Sequence, residues 1–359
     1  MSTVFRELLR RVGSGTHTSK SLSRADAALA ARLMLEQDAT PAQIGAFLIA
    51  HRIKRPTSEE LAGMLDTYHD LGGKLATVAG WPPPLVMGIP YDGRTRTAPI
   101  SPLTALVVAA AGYPVLQHGS GSLPTKYGVP LIELWQGLGV DWFNLSLAQV
   151  QHVFEQTKLG FVYQPEHFPL AEGLVTYRNE LGKRPPIATL ELMWSPYAGD
   201  AIVAAGFVHP PTEKMITEAL RMQGYARFLT VKGLEGSCDL PLERVAIIGS
   251  HHPDGSLERL KLHSRDYNLA TVDLTWQSTD TWIKQAQAFL AETSPSVTNS
   301  FYAPTLWNSG FFLWQVGQVN SLSAGIALTH ELLTAGKVQR LWQTLQNALA
   351  ACRLAAPVR

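Results

Sequence analysis

The chain has 359 residues, 46% hydrophobic and only 16% charged, which excludes a disordered chain and leaves room for one large domain plus a smaller one. Its formal net charge of +1 gives no overall attraction to nucleic acid or anionic lipid, so only a local basic patch would serve such partners. Two cysteines, Cys238 and Cys352, fall outside any paired-ligand spacing, which argues against a disulfide framework or a structural zinc site and predicts reduced thiols in a cytoplasmic protein.

The N-terminal stretch MSTVFRELLRRVGSG carries charges where a signal peptide needs an apolar segment, and no run of about 18 apolar residues follows it. A soluble protein without membrane contact is expected. Three capped helices are predicted in the first 75 residues. Ser23 caps LSRADAALAARLMLEQ, although the Glu or Gln of a capping box is missing. Thr40 caps a segment with Pro41 at its first position and Ile44, Phe47, Leu48 and His51 on one face. Thr57 or Ser58 caps TSEELAGMLDTYHDLG, and Gly72 lies just past its end. Helices without a strand among them predict a small all-α domain.

From Trp81 the pattern changes. PLVMG, YPVLQHG, LGFVYQP, RFLTVKG and RVAIIGS read as buried strands, and PLTALVVAAAG and PTEKMITEALRMQG between them as helices. Such alternation predicts an α/β domain with a largely parallel or mixed sheet, followed by two or three helices from Trp307 to Leu349.

Ligands of α/β sheets bind beyond the carboxyl ends of the strands. In GIPYDGRTRTAPISP, residues 88–102, Gly88 and Gly93 would let the backbone approach a ligand. Asp92 would hold a ribose or a metal-bound water there, and Ser101 and Thr104 open the next helix. In QHGSGSLPTKYG, residues 117–128, His118, Ser120, Ser122, Thr125 and Lys126 are placed to line a polyphosphate. In KGLEG, residues 232–236, Glu235 is the one acidic group able to hold magnesium. Ordinary strand-to-helix turns using glycine for their φ angles account for the last two loops equally well. GSHHPDG, residues 249–255, pairs two histidines with no third ligand spaced to join them. His51, Arg52, Lys54 and Arg55 make a basic helix end that the helix dipole alone would justify, with nucleic acid as the alternative partner.

The sequence resembles the anthranilate phosphoribosyltransferase family. The resemblance runs through LSRADAALAARLMLEQDATPAQIGAFLIAHRIKRPTSEELAGM, AAAGYPVLQHG, LGFVYQPEHFPLAEGLVTYRNELGKR and WNSGFFLWQVGQVNSLSAGIALTHELLTAGKVQRL, in the family's order. It implies a two-domain fold of the nucleoside phosphorylase/phosphoribosyltransferase type. A helical domain over residues 1–75, with a returning excursion near 165–195, packs on an α/β domain over 76–359. It also implies homodimers through the helical part, transfer of a phosphoribosyl group from phosphoribosyl pyrophosphate to anthranilate, and magnesium. Such chemistry needs donors and a metal for the leaving pyrophosphate, because the oxocarbenium-like transition state is stabilised mainly by electrostatics.

The departures from the family pattern fall together. GTGGDG is here GIPYDG, keeping Gly88, Asp92 and Gly93 but placing Pro90, which has no N–H, and bulky Tyr91 where glycines approach the pyrophosphate. TFNIST becomes TAPISP, KHGNR becomes QHGSG with two positive charges lost, and DGLDE becomes KGLEG with Glu235 alone. Arg178 aligns with the arginine that meets the anthranilate carboxylate, whereas NLLGPL.NP reads ATLELMWSP. KGxEG in particular resembles a divergent second branch of the family, some of whose members are associated with nucleic acid. Arg94 and Arg96 are expected to replace the missing donors as point charges, suiting a different phosphorylated small molecule. A non-catalytic nucleic-acid-binding dimer and a genuine anthranilate phosphoribosyltransferase of tryptophan biosynthesis are the alternatives.

Overall fold

Four helices open the chain: α1 (Thr3–Gly13), α2 (Arg24–Leu35), α3 (Pro41–Lys54) and α4 (Ser58–Leu71). They come from a computed structural model describing residues 2–15, 17–292 and 296–354. Ser23 accepts the Asp26 amide without a reciprocal partner, as its sequence predicts, while Thr40 with Gln43 and Thr57 with Glu60 form complete capping boxes. Thr57, not Ser58, is the cap of α4. The additional helix α1 is capped by Ser2 and buries Phe5 against Phe47 of α3, with ring centroids 5.3 Å apart. Gly72, after α4, is not left-handed (φ −73°). It is glycine for space, because a Cβ there would lie 2.7 Å from the Trp194 ring.

The α/β unit follows as β1 (Leu85–Gly88), α5 (Ser101–Ala110), β2 (Val115–Gly119), α6 (Leu131–Gly137), α7 (Leu147–Thr157) and β3 (Leu159–Tyr163). The chain then leaves the sheet through α8 (Gln164–His167), α9 (Pro169–Glu172), α10 (Val175–Leu181) and a 3-10 turn over Pro186–Leu192. Along this stretch α10 packs on α3, and the 3-10 turn packs on α3 and α4. The sheet resumes with β4 (Ile202–Gly206), α11 (Pro210–Met222), β5 (Phe228–Val231), β6 (Ala246–His251) and β7 (Leu257–Leu262). Helices α12 (Thr279–Ala291), α13 (Tyr302–Gln315), α14 (Leu322–Thr334) and α15 (Lys337–Leu354) end the described chain.

The sheet is mixed, in the order β3-β2-β1-β4-β5-β6-β7, parallel through β5 and antiparallel beyond it. The chain steps outward from β1 to β2 and β3, then returns to lay β4 on the other side of β1, with Val86 opposite Val203. That reversal is a topological switch point, where the loops after β1 and β4 diverge and leave a crevice. Strand burial on both faces explains the unbroken apolar runs. Cys238 and Cys352 are both buried and free, and among the described residues no helix is long and apolar enough to cross a membrane.

Candidate functional site

Loop 89–100 leaves β1 at the crevice and folds onto loop 120–130. Gly93 is left-handed (φ +72°), and a Cβ on it would fall 2.5 Å from the Gly128 carbonyl carbon. The Gly128 amide donates to the Asp92 carbonyl at 2.9 Å, and the Val129 amide to the Arg94 carbonyl at 3.0 Å. Gly88 meets the Leu192 carbonyl instead of open space, its Cβ position lying 2.1 Å from that oxygen. The close approaches expected of Gly88 and Gly93 toward a ligand are therefore made to neighbouring backbone.

Arg94 is also turned inward. Its guanidinium, 2% exposed, is ion-paired with Asp239 and donates to Thr97 Oγ1 at 2.7 Å and to Ser237 Oγ at 3.3 Å. Asp239 further accepts the Ile100 amide at 2.8 Å. The free phosphate cation expected at position 94 is thus an internal strut, since a guanidinium this buried requires a counter-charge. Arg96 remains exposed, with Nε 3.7 Å from Glu235.

Glu235 is held by the same loop. Its carboxylate accepts the amides of Thr97, Arg96 and Thr95 at 2.9, 3.0 and 3.3 Å and the Thr97 hydroxyl at 2.8 Å. Lys126 Nζ lies 3.6 Å away. Burial alone would push this carboxyl up, but the Thr97 hydroxyl and the three amides hold it down at about 2. Convergent amides with a cation beside them form an anion seat, and a side-chain carboxylate fills it. Glu235 therefore does not present open oxygens to magnesium. Among the described residues, no group of three or more His, Cys, Asp or Glu side chains is placed to hold a metal ion by itself.

Ser101, His118 and Ser120 come together around a pocket of about 370 Å3, shared with Tyr91, Arg94 and Leu131. Ser101 begins α5, and its carbonyl accepts from Gln117 Nε2 at 2.9 Å. Gln117, where the resemblance expects lysine, also accepts from the Trp135 indole at 2.9 Å and so belongs to the core. Ser120 donates to Glu172 at 2.8 Å. The Tyr91 hydroxyl is in hydrogen-bond contact with His118 Nδ1, and both rings are buried. Burial pushes the His118 imidazole down to about 3, leaving it neutral at pH 7. Tyr91 thus fills space that smaller residues would leave to a ligand.

Arg178 and Asp92 meet on the other side of this loop in a ring of alternating charge. Arg178 donates to Glu191 at 2.6 Å and lies 3.7 Å from Asp92. Arg184 lies 3.5 Å from Asp92 and 3.6 Å from Glu191 Oε2, the same oxygen that accepts the Tyr91 amide at 2.8 Å. Beyond the ring a cleft of about 1360 Å3 separates the helical and α/β parts, with Arg52, Lys126, Arg184 and His209 on its walls beside Asp92 and Glu235.

Glu191, Asp239 and Arg184 are the residues the sequence reading missed. A lone acid in an apolar segment, as in ATLELMWSP and CDLPL, was the available signal. Two of the four basic residues at the end of α3 are not surface groups: His51 is buried 3.5 Å from Glu60, and Lys54 pairs with Glu60 at 2.8 Å. Of the adjacent histidines, His251 is stacked on Phe228 at 4.0 Å.

The family described as "Glycosyl transferase family, helical bundle domain" matches residues 6–72, and "Glycosyl transferase family, a/b domain" matches residues 92–339. The chain is 28% identical to an anthranilate phosphoribosyltransferase of Rhizobium meliloti, over 91% of this chain and 94% of the relative. With that of Burkholderia multivorans it shares 25%, over 86% and 88%. The crystal structure of the Thermus thermophilus anthranilate phosphoribosyltransferase is similar at a TM-score of 0.80 and 22% identity, over 97% of this chain and 100% of that one. The Saccharomyces cerevisiae anthranilate phosphoribosyltransferase, solved in complex with PRPP and Mg, is similar at a TM-score of 0.80 and 14% identity, over 97% and 98%. A helical bundle, an α/β unit and a crevice at the sheet's switch point thus carry the same domains in the same order, and the chain belongs to this glycosyl transferase family, in its anthranilate phosphoribosyltransferase group.

Proposed function

We propose that this protein is a glycosyltransferase homologue whose phosphoribosyl-pyrophosphate seat is filled from within, and that its cleft receives a different phosphorylated small molecule. The observation that carries this reading is Glu235, whose carboxylate occupies the amides of residues 95–97. An incoming pyrophosphate would have to displace a charge-assisted set of hydrogen bonds, each worth about 1.5–3 kcal/mol, before making its own. Tyr91 and Pro90 act in the same direction by adding bulk and removing an N–H. Arg52, Lys126 and Arg184 on the cleft walls supply the attraction for an anion outside that seat.

Calorimetric titration with phosphoribosyl pyrophosphate, with and without magnesium, tests the reading. No detectable heat is expected in either titration. Micromolar, magnesium-dependent binding would overturn it in favour of genuine anthranilate phosphoribosyl transfer, the activity that the relatives' names state. The chain is further expected to form a homodimer through its helical unit, where Val4, Leu29 and Ile53 are exposed large apolar side chains. The two free cysteines are in keeping with a cytoplasmic location.

A further inference from the structure

The two walls of the cleft between the helical and α/β parts differ in chemistry. On the helical side the Arg52 guanidinium donates to the Arg184 carbonyl, so both arginines stand on one wall. On the other side the chain leaving β4 and the first turns of α11 present Phe207, Val208 and Met215. Val208 is 47% exposed and Met215 half-buried, although both are apolar. Single apolar groups on a convex surface are ordinary, whereas a pair on one wall of a concave site is the lining that takes up the apolar part of a ligand.

Helix α11 begins at this wall, yet it holds no seat for an anion. Pro210 and Pro211 fill its first two positions and have no N–H, while the Thr212 and Glu213 amides donate back to the His209 carbonyl at 2.9 and 3.3 Å. A phosphate in the cleft therefore goes to Arg52, Arg184 and Lys126, and the group it is attached to lies against Val208 and Met215. Charge limits that group as well. Three cations, Arg52, Lys126 and Arg184, stand against two carboxylates, Asp92 and Glu235. A phosphate monoester brings about 1.5 to 2 negative charges at pH 7 and consumes the surplus. A second anionic group would lie beside Asp92 and Glu235 with no cation left for it.

We infer that the ligand of this cleft is a phosphate monoester whose remaining part is uncharged and apolar, and that Val208 and Met215 select it. The inference rests on the reading of the cleft as the site of a phosphorylated small molecule, and it supplies the class of that molecule. Phosphorylated sugars and polyols rank below it, because their hydroxyls would exchange water for a wall without hydrogen-bond partners.

The probes are phenyl phosphate, glycerol 3-phosphate and 4-carboxyphenyl phosphate, titrated calorimetrically into the full chain at constant ionic strength and without phosphoribosyl pyrophosphate. Phenyl phosphate is expected to bind more tightly than either of the others by about tenfold or more, the effect of burying one ring face. Val208→Ser should cut its advantage over glycerol 3-phosphate by about threefold or more, and Met215→Gln should act in the same direction. Arg52→Gln should weaken all three probes. Either comparison probe binding as tightly as phenyl phosphate, or an unchanged advantage in both Val208→Ser and Met215→Gln, would overturn the inference. An Arg52→Gln variant that weakens none of them places the phosphate elsewhere and also overturns it. If glycerol 3-phosphate binds through Arg52 and phenyl phosphate gains nothing over it, the inference falls while the reading of the cleft as a phosphate site stands. If none of the three binds, both fall.

Discussion

Replacing Glu235 by Gln removes a charge while keeping the side chain's shape, and its cost can be worked from the seat it occupies. The native carboxylate accepts three amides and a hydroxyl within 3.3 Å, whereas a Gln amide offers one acceptor and turns an NH2 toward donors. A carboxyl held at about 2 rather than 4.5 corresponds to at most about 3 kcal/mol at neutral pH, which the cleft's solvent reduces to about 2 kcal/mol. Because the folded-state pKa is the lower one, this stabilisation is complete above about 4.5 and is lost as pH falls toward about 2. Urea denaturation of both proteins should therefore show a gap of about 2 kcal/mol at pH 7 that narrows steadily below pH 4.5. Glu235→Ala carries the same reasoning further, since it empties the seat. Inorganic phosphate should then stabilise the Ala variant more than the wild type, through binding to the native state alone. A gap under about 0.5 kcal/mol at pH 7, or an equal phosphate response in both proteins, would refute the account of the seat.

Three further outcomes are expected. Asp239→Ala strands the buried Arg94 guanidinium and should cost about 3–5 kcal/mol in urea denaturation, whereas the double change Arg94→Met with Asp239→Leu should cost clearly less. Glu60→Gln should destabilise the helical bundle by about 2 kcal/mol at pH 7. Burial opposes the charge of Glu60, but His51, Lys54 and the Leu22 amide hold it at about 2, so calorimetric melts should lose the difference between about pH 4.5 and 2. Gly88→Ala places a methyl 2.1 Å from the Leu192 carbonyl and should lower stability by about 1–3 kcal/mol or more, measured by thermal unfolding.

The helical unit was legible because its signals are local. Ser23, Thr40 and Thr57 each announce a helix start within four residues, and each caps one. Strands β1, β2, β3, β5 and β6 were legible as apolar runs. The central strand β4 was not, because in Ile202–Gly206 the branched pair Ile202 and Val203 gives way at once to two alanines and a glycine, which carry little strand signal. Edge strand β7 hid behind its charges, which face solvent on a hairpin opposite β6. The loops after β1, β2 and β5 were legible as loops, yet the partners of Arg94 and Glu235 were not. Arg94 finds Asp239 across 145 positions, and Glu235 finds Thr97 across 138, distances at which no local periodicity reports a partner. A charge read from sequence is free until the fold supplies its counter-charge, so unpaired cations are the readings most exposed to this error.

The contacts of Gly88 and Gly72 bear on how the molecule moves. The carbonyl of Leu192 presses on the end of β1, and the ring of Trp194 presses on the end of α4, so one short segment is wedged against both parts of the protein. Backbone packed this closely resists sliding. A hinge running between bundle and sheet would have to tear that wedge from one side or the other. Traffic into the cleft therefore falls to its mouth, where Arg52 and Lys126 stand in solvent, and exchange rates should follow the loops there rather than a rocking of whole domains.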